Sequence, residues 1–150
     1  MKKMAAIIIS VFILSSCNLN RSGAEMDYAA FLELLAKDGF SFVEHEKAPA
    51  EHSILSVGYT TIYIDGKSIT IYEYVSNALM ETDSDYIDKS GHLISFPDRD
   101  IENTYISYPH FFKKDKIIVR FIGADERILK FLKTNLGGAF AGYSYTNQAR

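Results

Sequence analysis

The fold of this chain is decided by the stretch Tyr59-Thr60-Thr61-Ile62-Tyr63-Ile64-Asp65-Gly66-Lys67-Ser68-Ile69-Thr70-Ile71-Tyr72-Glu73-Tyr74-Val75. Its centre, Asp65-Gly66, supplies the positive φ angles of a type I′ turn, and β-branched and aromatic residues fill both flanking segments. The stretch therefore predicts a β-hairpin with a two-residue loop. In that register Ile62 lies opposite Ile69, and Thr60 lies opposite Ile71.

The two faces of this hairpin differ in composition because successive strand side chains point to opposite sides. One face is aliphatic. The other, which we call the tyrosine face, carries tyrosine and threonine, and its tyrosines offer the large, stiff contact area common in interface hot spots. Two other interpretations remain open: a helix covers this face, or its tyrosines are ordinary strand residues with solvated hydroxyls. The predicted binding residues are Tyr59, Tyr63, Tyr72 and Tyr74.

Three helices are predicted around the hairpin. The first covers residues 25–38, where apolar residues recur at i, i+3, i+4 and i+7, and it stops at Gly39. The second begins after a Ser76 cap and runs to Lys89. The third begins near Asp125, carries Ile128, Leu129, Leu132 and Leu136 on one stripe, and stops at Gly137-Gly138.

A second hairpin is predicted over residues 105–122, with Pro109 at a bulge or an edge, and a short strand at 40–42. The order is a leading helix and strand followed by two hairpin–helix units, 53–91 and 104–137. Helices on one face of an antiparallel sheet are the natural arrangement for this order. We therefore predict an α+β two-layer sandwich with a sheet of four to five strands.

The chain begins with a basic Met1-Lys2-Lys3, an apolar run of about ten residues, and small residues before the only cysteine. The apolar run is shorter than the roughly 20 residues that a membrane-spanning helix needs. Its end, Leu14-Ser15-Ser16-Cys17, resembles the lipobox of bacterial lipoproteins. This resemblance covers residues 1–17 alone. The alternatives are an ordinary secretory signal with an incidental cysteine, or a short anchor that is not cleaved.

The resemblance implies that the peptide is cut before Cys17 and that the Cys17 sulfur carries a diacylglyceryl group. Two acyl chains are what stable anchoring requires. The expected location is the extracytoplasmic side of a cell membrane, with the type of envelope left open. The predicted organisation is a signal peptide at 1–16, a tether at 17–24, a single domain at 25–138 and a flexible tail at 139–150.

Charge is unevenly distributed along the chain. The whole sequence has 16 basic and 19 acidic residues and a formal net charge of −3, which opposes general nucleic-acid binding. Between Lys113 and Lys133, however, seven basic side chains stand against three acidic ones. Two interpretations of this segment are open. It contacts anionic headgroups or an acidic partner, or it is a solvated helix face. The predicted basic contact residues are Lys113, Lys114, Lys116, Lys130 and Lys133.

Residues with catalytic or metal-binding chemistry do not form a recognised motif. The four histidines, His45, His52, His92 and His110, lack zinc spacing, and the run from Asp98 to Glu102 lacks the EF-hand pattern. No catalytic residue, metal or cofactor is expected.

The leading hypothesis is a non-enzymatic, membrane-anchored binding lipoprotein that contacts an envelope protein or component. The alternative is a small envelope hydrolase that uses histidines and carboxylates of residues 92–110. A solute-receptor role is disfavoured because such receptors use two lobes.

Overall fold

The computed structural model describes residues 25–143, which form three α-helices and eight β-strands. Six of the strands form one antiparallel sheet, and the other two form a separate ribbon. The predicted α+β class is confirmed, but the sheet is larger than the four to five strands expected. In chain order the elements are α1 (Tyr28–Lys37), β1 (Val43–Glu44), a 3-10 helix (Ala50–His52), β2 (Tyr59–Ile64), β3 (Lys67–Glu73), α2 (Asn77–Asp85), β4 (Leu93–Ser95), β5 (Asp100–Glu102), β6 (Pro109–Lys114), β7 (Ile117–Ile122), α3 (Glu126–Leu136) and β8 (Ala141–Gly142).

The hairpin β2–β3 has the predicted register. Ile62 pairs with Ile69, and Thr60 pairs with Ile71. The turn residues Asp65 and Gly66 have φ angles of 49° and 76°, as a type I′ turn requires. The second hairpin, β6–β7, is also confirmed, and it starts at Pro109.

The two hairpins lie side by side through β3 and β7, and the strand order is β1-β2-β3-β7-β6-β8. The edges are short strands of two residues each. The expected strand at 40–42 lies instead at Val43–Glu44, while Phe40 is buried in the core. Ala141–Gly142, within the predicted tail, pairs with β6 as β8, so the ordered domain extends beyond residue 138.

The starts of α2 and α3 follow the predicted signals at Ser76 and Asp125, whereas α1 begins at Tyr28, later than the expected residue 25. Asp27, Ser76 and Asp125 each accept a hydrogen bond from a backbone N–H of the first turn of α1, α2 and α3. Helix α2 ends at Asp85, earlier than the expected Lys89, and the chain then forms a bridge between Ile87 and Ile94. Leu93–Ser95 and Asp100–Glu102, in a segment for which no secondary structure was predicted, form the β4–β5 ribbon.

Both faces of the sheet carry a hydrophobic core. Helices α1 and α3 pack on the aliphatic face, where Phe31, Leu35 and Phe131 meet Ile62 and other strand residues. Helix α2, the ribbon and the loop at 53–57 pack on the tyrosine face, through Met80, Ile94 and Leu55. The predicted placement of all helices on one face is therefore wrong, because α2 folds back over the opposite side from α1 and α3.

Candidate functional site

The four predicted binding tyrosines do not form one exposed surface. Tyr72 and Tyr74 are 1% and 3% exposed and belong to the core under α2, whereas Tyr63 is 36% exposed. Tyr59 is half-buried, and its ring packs 5.8 Å from the ring of Tyr72. The covered-face interpretation is therefore correct for half of the set, and Tyr63 is the member that remains well exposed.

A buried carboxylate fixes helix α2 and the loop at 53–57, which cover part of the tyrosine face. Asp83 of α2 is 4% exposed, and its Oδ2 accepts hydrogen bonds from the Tyr74 hydroxyl, the Ser56 hydroxyl and the Ser56 backbone N–H at 2.7–2.8 Å. Burial, followed by the Asp83 charge, raises the pKa of Tyr74 far above its ordinary value, so the hydroxyl stays a donor. These contacts tie α2 and the loop at 53–57 to the tyrosine face.

Helix α2 and the loop at 53–57 cover the tyrosine face only part of the way along the sheet. Burial decreases from Tyr72, through the half-buried Thr61 and Arg120, to the exposed Ser68 and Tyr63. We call Thr61, Tyr63, Ser68 and Arg120 the open end of the tyrosine face. The ring of His45 packs 4.7 Å from that of Tyr63. An aromatic and polar sheet surface is thus exposed beside a covered one.

Arg120 lies at the boundary between the covered and the open parts. It pairs with Thr70 on β3 and with Phe111 on β6, so it occupies the middle of the sheet. Its guanidinium carbon is 5.9 Å from the Tyr72 ring centroid, and Nη2 is 3.4 Å from the Thr70 hydroxyl, a long contact for a hydrogen bond. Its Nε is buried and has no hydrogen-bond partner among the described residues.

Tyr105 lies beside this arginine, and His92 packs on Tyr105. Burial raises the pKa of Tyr105, and the nearby Arg120 opposes that effect through charge and hydrogen bonding. The Tyr105 hydroxyl also donates to the Gly91 carbonyl at 3.0 Å. The His92 ring packs 5.2 Å from the Tyr105 ring, and its Nδ1 lies 2.9 Å from the Asn103 carbonyl oxygen. The chain near the ribbon therefore contributes the Tyr105 side chain next to a cation.

Arg120 and Asp83 occupy central positions at the tyrosine face that the sequence did not single out. Arg120 was visible only as one of seven basic residues, and Asp83 as one of several helix acids. Alternation along β7 does place Arg120 on the same face as Ile118. The alternation does not show that β7 pairs with β3. That pairing joins residues about fifty positions apart and places Arg120 beside the tyrosines.

The predicted basic contact residues are distributed over several places. Lys113 forms an ion pair with Glu81 on the side of α2, and Lys116 forms one with Glu25. Lys114 donates to the Asn135 carbonyl at the end of α3. Lys130 and Lys133 are exposed on α3, beside a cavity of about 320 Å³ that Glu126 and Leu129 also line. The five lysines thus do not gather into one patch.

The histidines and carboxylates of residues 92–110 are not brought together. His110 lies on the α1–α3 side, where it is buried and stacked on Phe121. His92 precedes the ribbon on the opposite side of the sheet. Asp98 and Arg99 form an exposed ion pair with each other. Within residues 25–143, no three His, Cys, Asp or Glu side chains are placed to hold a metal ion.

Cys17, the predicted lipidation site, lies outside the described residues. Comparison with known proteins adds no relative: no family model, no curated protein and no solved structure matches the chain.

Proposed function

We propose that the protein is a lipid-anchored lipoprotein on the extracytoplasmic side of a cell membrane, and that its domain is a non-enzymatic binding module. The observation that carries the anchor is the sequence Leu14-Ser15-Ser16-Cys17 after a basic start and an apolar run. Cys17 is also the only cysteine, so an intrachain disulfide does not account for it. The membrane is the first partner, and a protein or other component of the envelope is the second.

Anchoring at Cys17 limits how far the domain can move from the bilayer. Eight peptide units separate Cys17 from Glu25, which corresponds to at most about 29 Å of extended chain. A partner of this domain is therefore a molecule that is present at or near the membrane surface.

The part of the structure from residue 25 to residue 143 contains no helix that is long and apolar enough to cross a membrane.

The binding surface in this proposal is the open end of the tyrosine face. Tyr63 offers an exposed ring that His45 supports, and Arg120 supplies a cation in the same face. Tyrosine and arginine are the residue types that contribute most to interface hot spots. The covered remainder of the face holds these groups on a rigid sheet, which limits the entropy lost when they bind.

The anchor is tested by metabolic labelling with a radioactive fatty acid. The wild-type chain should take up label and be processed to a shorter form, whereas Cys17→Ala should remain an unlabelled precursor. Ser10→Ala, which changes the apolar run without touching the lipobox, is the matched control and should label like the wild type. Normal labelling of Cys17→Ala would refute the lipoprotein assignment.

The binding surface is tested by affinity purification of the full chain from solubilised membranes. Tyr63→Ala should reduce the recovery of a co-purifying component at least fivefold. Leu79→Ala removes a side chain that is 51% exposed on α2, away from the open end, and should leave recovery unchanged. Equal recovery with the wild type and both variants would show that the open end of the tyrosine face does not bind that component.

A further inference from the structure

We propose that Arg120 is the centre of an oxyanion site, in which its guanidinium binds a carboxylate or phosphate group of a ligand at the open end of the tyrosine face. The inference rests on the proposed binding role of that surface and names the chemistry of what binds there. It does not depend on the lipid anchor.

The first argument is the charge on Arg120. A guanidinium in a protein stays protonated, and removing it from water is costly unless an anion or several acceptors replace the lost hydration. Over residues 25–143, no carboxylate forms an ion pair with Arg120, although Lys67, Arg99 and Lys113 each have one. Its contacts are the Tyr72 ring, the Thr70 hydroxyl and the side chain of Tyr105, all of them uncharged. A half-buried positive charge is therefore left for an external group to neutralise.

The second argument is the excess of hydrogen-bond donors. Two buried side-chain nitrogens in the described chain have no acceptor, and they are Nε of Arg120 and Nδ2 of Asn103. Both residues are connected with Tyr105, since Arg120 hydrogen-bonds with its side chain and Asn103 precedes it by two positions in the chain. Native proteins satisfy nearly all buried donors. The donors of Arg120 therefore exceed the acceptors that the described chain supplies, which leaves its outer N–H groups available for the oxygen atoms of a ligand.

The third argument is access and shape. Arg120 as a whole is half-buried, so its outer N–H groups reach solvent even though Nε does not. A guanidinium presents parallel N–H groups that match the two oxygens of a carboxylate or phosphate. The Tyr72 ring and the Thr70 hydroxyl contact the guanidinium, and Tyr105 hydrogen-bonds with it. A cationic ligand is excluded here by repulsion, and an uncharged apolar one would leave the charge unpaired.

The site is tested by NMR of the full-length protein in detergent micelles, through the Nε–Hε resonance of Arg120. The probes are inorganic phosphate and sodium acetate, titrated separately at constant ionic strength set with sodium chloride. We expect a saturable shift of the Arg120 resonance with at least one probe, and the stronger probe distinguishes a phosphate ligand from a carboxylate ligand. Arg127, exposed on α3 and stacked on Phe40, is the matched control and should not shift in this way.

Variants provide the second measurement. Arg120→Gln should weaken probe binding at least tenfold, as followed by backbone amides of β7, whereas Arg127→Gln should bind as the wild type does. Arg120→Lys keeps the charge and should retain part of the affinity. The absence of saturable shifts in the wild type, or equal shifts at Arg120 and Arg127, would overturn the proposal without affecting the Cys17 labelling or the Tyr63 recovery results.

Discussion

The Tyr74 hydroxyl donates a 2.8 Å hydrogen bond to Oδ2 of Asp83, and both side chains are almost fully buried. The same oxygen accepts two hydrogen bonds from Ser56. One carboxylate oxygen therefore joins three segments: the residue that follows β3, the helix α2 and the loop before β2. This contact ties α2 and the loop before β2 to the Tyr74 end of the tyrosine face.

Removing this carboxylate should destabilise the domain. Asp83→Ala leaves the buried Tyr74 hydroxyl without an acceptor and removes two hydrogen bonds from Ser56, so we expect the free energy of unfolding to fall by about 3 kcal/mol. Tyr74→Phe removes one bond to a charged acceptor and should cost about 1.5 kcal/mol. Urea denaturation of both variants and the double variant measures the coupling. Additive effects would show that the two side chains do not depend on each other.

The division of the tyrosine face predicts unequal effects of the same substitution. Tyr72→Ala opens a cavity in the core under α2 and should lower the free energy of unfolding by about 3–5 kcal/mol. Tyr63→Ala removes a side chain that is 36% exposed and should cost less than about 1 kcal/mol. Chemical denaturation compares the two. Similar losses would contradict the description of Tyr63 as a surface residue.

The short edge strand β8 should depend on Gly142. Its φ is 92°, and a Cβ there would lie 2.1 Å from the Pro109 carbonyl oxygen, so Gly142→Ala must displace β8 from β6. Gly66 has a similar φ of 76° but open space around it, and Gly66→Ala should cost only about 1–2 kcal/mol of strain. We expect Gly142→Ala to cost at least twice as much in thermal unfolding. Hydrogen exchange at the backbone amides of positions 140 and 142 should then rise in that variant alone.

His110 should make stability depend on pH. Burial lowers the pKa of His110 below the ordinary value of 6.5, although hydrogen bonds to the Gly123 and Tyr143 carbonyls oppose the effect. The folded state thus disfavours the charged ring, and the unfolded state binds more protons below about pH 6.5. The free energy of unfolding should therefore be highest above that pH and decrease as the pH falls through the folded-state pKa.

The matched variant for this prediction is His110→Gln, which keeps a donor for one carbonyl but does not titrate. Denaturation at several pH values should show a flatter profile below pH 6.5 for His110→Gln than for the wild type. An NMR titration of the His110 ring measures its pKa directly. A value above 6.5, or profiles of equal slope, would show that burial is not the controlling effect.

The sequence by itself determined the turns and helix starts that depend on residues close together in the chain. Asp65-Gly66 specifies the turn and the register of β2–β3, because a two-residue type I′ loop leaves one way to pair the strands. Ser76 and Asp125 specify the starts of α2 and α3, because each cap bonds a backbone N–H three residues away. The α+β class follows from these local elements in their order.

Only the tertiary structure decided which surfaces are free. The alternation of residues shows that Tyr63 and Tyr72 share a face, but not that α2 folds over Tyr72 and stops short of Tyr63. That outcome depends on pairings between distant segments, above all β3 with β7 and Asp83 with Ser56. Such contacts depend on the summed packing of many residues and have no short sequence signal. The same packing places Arg120 among tyrosines without a carboxylate partner in the described chain.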